Sequence, residues 1–192
     1  MSPCGCAEFD DSGSRAAVLG MATQDDIVRG IDAFMGASKR VVGSDRVTTS
    51  DWQRGIVEGE LQLKLPIEVE GELLGGLIVI GSPRKKGLWF RLGILFPAMV
   101  CRIDHTEEIH TNSLGLGVNL PSRVYGPHYH PWSLNRSGFK GMHKAPRLLA
   151  AVPYDPGAKT FDANLRWFCA ETQIESLPAN HGIELPASGL LL

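Results

Sequence analysis

The sequence predicts an α+β domain: an antiparallel β-meander of four to six strands with an N-terminal and a C-terminal helix packed on it. Three observations carry this. Residues 61–69 alternate apolar and polar side chains with the period of a strand, and the apolar runs that follow are joined by connections too short for crossover helices. Segments on either side of this stretch repeat their apolar residues at helical spacing instead.

Residues 1–20 are rich in Gly, Ser and Asp and have no apolar period, so a disordered extension is expected there. A single domain is then expected over 21–175, with an irregular tail over 176–192. Thr23 stands three residues before Asp26, a capping pair, and Ile27, Val28, Ile31, Phe34 and Met35 follow at helical spacing. That helix is expected to end within 36–39, before a polar linker containing Gly43 and Ser44. Leu61, Leu63, Leu65, Ile67 and Val69 then line one face of a half-buried strand bent at Pro66. The apolar runs 73–80, 88–96 and 98–104 complete a four-strand meander.

Across 105–147 the period disappears and Gly, Pro, Ser and Asn become dense, which predicts a long loop with one short strand around 124–130. A compact domain rarely keeps such a loop unless it has a function. Residues 148–152 are expected to form a last strand. Thr160 can then cap a helix in which Phe161, Leu165, Phe168 and Cys169 share one face.

Composition narrows the function classes. No apolar run approaches the roughly 18 residues of a membrane span, and the N-terminal stretch has early acids and no apolar h-region. A cytoplasmic protein without membrane contact is expected. Cys4 and Cys6 lie in the polar extension while Cys101 and Cys169 lie in apolar surroundings, so the cysteines suggest neither a disulfide framework nor a zinc knuckle. No Gly-x-Gly-x-x-Gly, Walker loop, Gly-x-Ser-x-Gly or His-Glu-x-x-His occurs, which disfavours the common nucleotide-binding and protease classes.

The net charge of −2 conceals a separation. Residues 84–147 hold ten basic and three acidic side chains, or +7, against −6 for residues 1–83 and −3 for 148–192. The basic third also holds five of the six histidines. An anionic ligand such as phosphate or RNA is therefore a natural expectation, with Arg84, Lys85, Lys86, Arg136 and Lys140 as cations and Trp132 and Tyr129 as surfaces for a stacked base.

His128 and His130 are two residues apart, so in extended backbone both imidazoles project from one face. Arg102 and Asp104 stand in the same relation on the last strand of the meander. Two imidazoles so placed can hold a metal, exchange protons with a phosphodiester or bind an anion. A metal such as zinc or iron needs a third ligand, which His110, His105, Asp104 or His143 can supply. The Gly-x-His-x-His run is similar to the first motif of cupins, with Asn135 and Arg136 where an acid is expected.

Arg102-x-Asp104, His110-Thr111-Asn112 and Pro127-His128-x-His130, between a meander and the helix at 161–169, together resemble a small bacterial and phage family known as a domain of unknown function. The resemblance covers roughly residues 22–175 and implies a polar site without specifying a reaction. The family carries Pro-Asp-Gly after the Asn, and an aromatic, an acid and a glycine after the second His. This chain has Ser113-Leu114-Gly115 and Trp132, with no counterpart to the acid.

Three functions are compatible with these residues. The first is a metal-independent ribonuclease of the toxin kind, needing no cofactor, with His110, His128 and His130 exchanging protons, Arg102 supplying charge and Asp104 orienting a histidine. The second is a metal-dependent, cupin-like domain with His110, His128 and His130 as ligands. The third is a non-enzymatic inhibitor or binding protein of a phage or mobile element, which would meet a protein partner through Arg84, Lys85 and Lys86.

Overall fold

The structure, a computed structural model, describes residues 23–43, 47, 51–82, 85, 88–96, 98–113, 119–139, 148–177, 183 and 185–186. The expected extension at 1–20 and most of the expected tail lie outside the described residues.

The first helix, α1, spans Gln24–Gly36. Thr23 caps it: its hydroxyl accepts the Asp26 N–H at 3.2 Å, and Asp26 Oδ2 accepts the Thr23 N–H at 3.0 Å, which satisfies two donors that the first turn leaves without helical partners. At the other end the buried Lys39 ammonium donates to the Met35 and Ala37 carbonyls at 3.0 and 2.7 Å. Burial lowers the pKa of Lys39 to about 8.

Where a polar linker is expected, the chain enters β1 (Lys39–Val41) and later β2 (Gln53–Arg54). Such short strands leave no readable period. The meander itself forms as predicted, with β3 (Leu61–Val69), β4 (Glu72–Gly81), β5 (Phe90–Leu95) and β6 (Met99–His105) as successive antiparallel neighbours. The β3–β4 turn places Glu70 at φ 50° and Gly71 at φ 87°, positive values that suit the twist of a tight hairpin. Pro66 lies in the interior of β3, but its edge toward β1 carries only the bond from Val42 N–H to Pro66 O. The missing amide hydrogen therefore leaves no gap in the β3–β4 ladder.

The expected long loop is more structured than its sequence suggests. It contains a two-stranded ladder of β7 (Ile109–Thr111) and β8 (Arg123–Tyr125), followed by β9 (His128–His130), which returns to pair with β6. Gly126, at φ 71°, turns the chain between β8 and β9, splitting the single strand expected at 124–130 into two. A short helix, α2 (Trp132–Asn135), and a 3₁₀ turn (Arg136–Gly138) follow. The last strand expected over 148–152 is reduced to β10 (Val152–Pro153), paired with β9. Helix α3 (Phe161–Glu171) starts at Thr160 as predicted, and β11 (Ile174–Ser176) then runs parallel to β1.

Among the described residues the main sheet has nine strands in the order β10-β9-β6-β5-β4-β3-β1-β11, with β2 also on β3. Its register separates two faces. Leu63, Val79, Leu92, Ile103 and Tyr129 stand opposite one another across five strands and are all buried. Both helices pack on this face. Phe161 of α3 meets Phe90 edge-on at 5.1 Å, Trp167 meets Tyr129 at 5.2 Å, and Phe34 of α1 reaches over Gly75, where a Cβ would come within 2.9 Å of its ring. The reverse face carries Gln62, Ile80, Arg91, Asp104 and His128 in one row and Lys64, Ile78, Gly93, Arg102 and His130 in the next. Among the described residues no helix is long and apolar enough to cross a membrane.

Leu92 lies at the middle of the apolar row and is fully buried, so Leu92→Ala should cost about 2–5 kcal/mol of unfolding free energy. Urea denaturation should show this loss, whereas Leu73→Ala, at an exposed position, should stay within about 0.5 kcal/mol of the unaltered chain.

Candidate functional site

The β6–β9 register sets Arg102 opposite His130 and Asp104 opposite His128. All four side chains fall on the face away from the helices, because they occupy alternate positions of paired strands. His105 has the other parity: it stacks on Phe90 at 4.8 Å, and its Nδ1 lies 3.3 Å from Tyr154 Oη, which itself donates to Asn164 Oδ1 at 2.6 Å. It belongs to the packing beneath α3. His143 lies outside the described residues.

His110 reaches the cluster from β7. Its ring centroid is 4.6 Å from that of His130 and 5.4 Å from that of His128, and those two rings are 5.0 Å apart. One nitrogen from each ring can be chosen so that all three lie within 4.8 Å of one another. His128 and His130 are buried, while His110 is half-buried.

Backbone carbonyls determine how each ring is protonated. His128 Nδ1 lies 2.7 Å from Gly126 O, His130 Nδ1 3.1 Å from Ala150 O, and His110 Nε2 3.3 Å from Leu149 O. A carbonyl oxygen only accepts, so these ring nitrogens carry the protons. In the neutral rings the lone pairs are then on Nε2 of His128, Nε2 of His130 and Nδ1 of His110. The first two stand 3.3 Å from Asp104 Oδ2. Burial lowers the pKa of both His130 and His110, so these rings favour the neutral form.

Asp104 is 4% exposed; burial opposes its charge and Arg102 favours it, whereas His128 and His130 would favour it only by donating from Nε2, which a neutral ring protonated on Nδ1 does not do. Arg102 Nη2 donates to Oδ2 at 2.7 Å. Arg91 Nε lies 3.3 Å from Oδ1, and Arg91 also pairs with Glu60 and Glu108, each at 3.2 Å, while lying over the Trp89 ring. Among the described residues the buried side-chain polar atoms without a hydrogen bond are Arg91 Nε, Arg102 Nε, Asp104 Oδ1 and His130 Nε2, all from this one cluster. Arg91 Nε and Asp104 Oδ1 face each other at 3.3 Å, and His130 Nε2 faces Asp104 Oδ2 at 3.3 Å, each longer than an ordinary hydrogen bond.

The segment beside the cluster is held by side chains where a strand was expected. Asn135 Nδ2 donates to Ala150 O at 3.0 Å and its Oδ1 accepts from Ala150 N at 2.9 Å. Asn112 does the same for Ala151, at 3.0 and 2.7 Å. With His110 on Leu149 O and His130 on Ala150 O, these amides replace a neighbouring strand for residues 149–151.

The residues expected to meet nucleic acid are placed differently from one another. Trp132 is 6% exposed, packs edge-on against Phe139 and donates its Nε1–H to Asp32 Oδ1 at 2.8 Å. Its ring is enclosed, which corrects the expectation of a free stacking face, and the same holds for Tyr129 against Trp167 and Phe168. Arg136 grips Asp32 with Nε at 2.8 Å and Nη2 at 2.6 Å, joining the 3₁₀ turn to α1. Lys85 is exposed, and Arg84, Lys86 and Lys140 lie outside the described residues.

The sequence reading named His110, His128, His130, Arg102 and Asp104, and the fold brings all five together. It missed Arg91 and the two bridging asparagines. A lone arginine within the apolar run 88–96 was a usable signal, but no period marks an asparagine that pairs with distant backbone. Comparisons with family models, curated proteins and solved structures find no match for the chain.

Two outcomes follow. His110 and His130, with pKa values below those of the unfolded chain, bind fewer protons when folded, so they add stability above about pH 6.5 that is lost as pH falls through their folded values. The thermal midpoint of metal-free protein should therefore drop between pH 7 and 5, and an unchanged midpoint would contradict the neutral rings. Asn135→Ala should cost about 2–4 kcal/mol in chemical denaturation, because it leaves the buried Ala150 amide without its partner.

Proposed function

We propose that the protein is a metal-dependent hydrolase with a three-histidine zinc centre formed by His110, His128 and His130. The observation that carries this reading is the commitment of one nitrogen of every ring to a backbone carbonyl, in three rings packed so closely beside a carboxylate that one nitrogen of each lies within 4.8 Å of the others. Without a cation, the lone pairs of His128 and His130 would face Asp104 Oδ2 at 3.3 Å. Protonation of His130 would relieve its share of this, but its burial opposes that.

Charge and spacing agree with an ion. Among the described residues, three carboxylates, Glu60, Glu108 and Asp104, pair with two guanidiniums, Arg91 and Arg102, an excess of one negative charge among these ion pairs. A divalent cation reverses the sign. Ligands of a tetrahedral zinc, bound at about 2.0–2.1 Å, stand roughly 3.4 Å apart; one nitrogen of each ring lies within 4.8 Å of the others, so the rings would close inward around an ion, and Nε2 of His128 and of His130 each stand 3.3 Å from Asp104 Oδ2. Because Arg102 engages that oxygen at 2.7 Å, Asp104 is a weak fourth donor. His110 and Arg102 are the partly exposed members of the cluster, so a reactant would reach a bound ion past them. Neutral imidazoles and one open position are the setting in which zinc activates water.

The same geometry supports a metal-free ribonuclease less well. Acid and base must flank a phosphate, and rings 4.6–5.4 Å apart suit an ion between them better than a phosphoryl group.

Elemental analysis of protein purified without a histidine tag tests the proposal. About one equivalent of zinc is expected, falling below about a tenth in His128→Ala and His130→Ala. Iron in its place would keep the centre but replace hydrolysis by redox chemistry. Less than half an equivalent of either metal in the unaltered chain would remove the reading.

A further inference from the structure

We infer that the centre acts on a phosphoester and that Arg102 receives its phosphoryl oxygens, an inference that rests on the metal reading. Arg102 stands opposite His130 in the β6–β9 ladder and donates to Asp104 Oδ2, the oxygen that Nε2 of His128 and of His130 also face. Its Nη2 is engaged by Asp104, but its Nε is buried without a partner. The Arg102 side chain is 30% exposed, whereas those of His128, His130 and Asp104 are almost wholly covered. It is therefore a cation that belongs to the cluster and also reaches solvent.

Arg91 cannot take this part as readily. Glu60 and Glu108 already occupy it, and it lies over Trp89. Asp104, in turn, does not depend on Arg102 alone, since Arg91 faces its other oxygen. A guanidinium presents parallel N–H groups that match two oxygens of a phosphoryl group. An ion and a guanidinium side by side complement a phosphoryl dianion better than a singly charged carboxylate. The +7 charge of residues 84–147 favours the approach of such a substrate. In the reaction the oxygen of water bonds to phosphorus, the ester P–O bond breaks, and the alcohol departs with a proton taken from that water.

The test uses the full chain loaded with zinc. Calorimetric titration with inorganic phosphate should show binding, with acetate at least tenfold weaker. Arg102→Gln should lose at least tenfold in phosphate affinity at unchanged zinc content. Arg102→Lys, which keeps the charge but not the fork, should lose less and guards against a glutamine variant that misfolds. Turnover of RNA against p-nitrophenyl phosphate separates a diester from a monoester source, and turnover of either supports the inference. Loaded protein that ignores phosphate, takes acetate equally well, or binds phosphate undiminished in both Arg102 variants overturns it and leaves the zinc centre standing. A chain that takes up no zinc removes both.

Discussion

The two-residue alternation of β6 is the constraint on which the rest of the molecule depends. Cys101, Ile103 and His105 turn toward the helices, while Arg102 and Asp104 turn to the reverse face. A slip of β9 by one residue against β6 would turn His128 and His130 into the apolar core and Tyr129 out of it. The buried row from Leu63 to Tyr129 opposes that slip, so the packing that stabilises the domain also sets the register of the polar cluster. Stability and chemistry occupy opposite faces of the same strands.

The reverse face addresses a different problem. Ionised and polar groups lie close together there with little water access, which is tolerable only when each is paired. Backbone carbonyls of Gly126, Leu149 and Ala150 satisfy one side of each imidazole, and the second nitrogens of His128 and His130 both face Asp104. Asn112 and Asn135 hold residues 150 and 151 in place by paired amide bonds, and two of those carbonyls lie in the same segment. Orientation of the rings is thus built into the main chain. This shell fixes tautomer and aim together, the role that outer partners have around metal-ligating histidines.

A separate anchor positions the segment that carries β9 onward. Asp32 of α1 accepts from Trp132 and from both arms of Arg136, with its carboxyl held below the ordinary range chiefly by Arg136. Trp132 and Arg136, two of the residues that composition suggested for nucleic acid, therefore join the first helix to the region following the His-x-His pair. The basic character of that third of the chain is real, but part of it is engaged internally.

By itself the sequence determined the elements with long periods: α1, α3 and the strands β3 to β6, where many residues repeat one pattern and local physics suffices. It also showed that His128 and His130, and likewise Arg102 and Asp104, share a face, since alternation follows from backbone geometry alone. Only the tertiary structure decided what these pairs face. Strands of two or three residues, such as β7, β9 and β10, have no readable period and exist because of the neighbours they pair with. The approach of His110, the exclusion of His105 and the amide bonds of Asn112 and Asn135 likewise depend on contacts between distant parts of the chain, which no local pattern records.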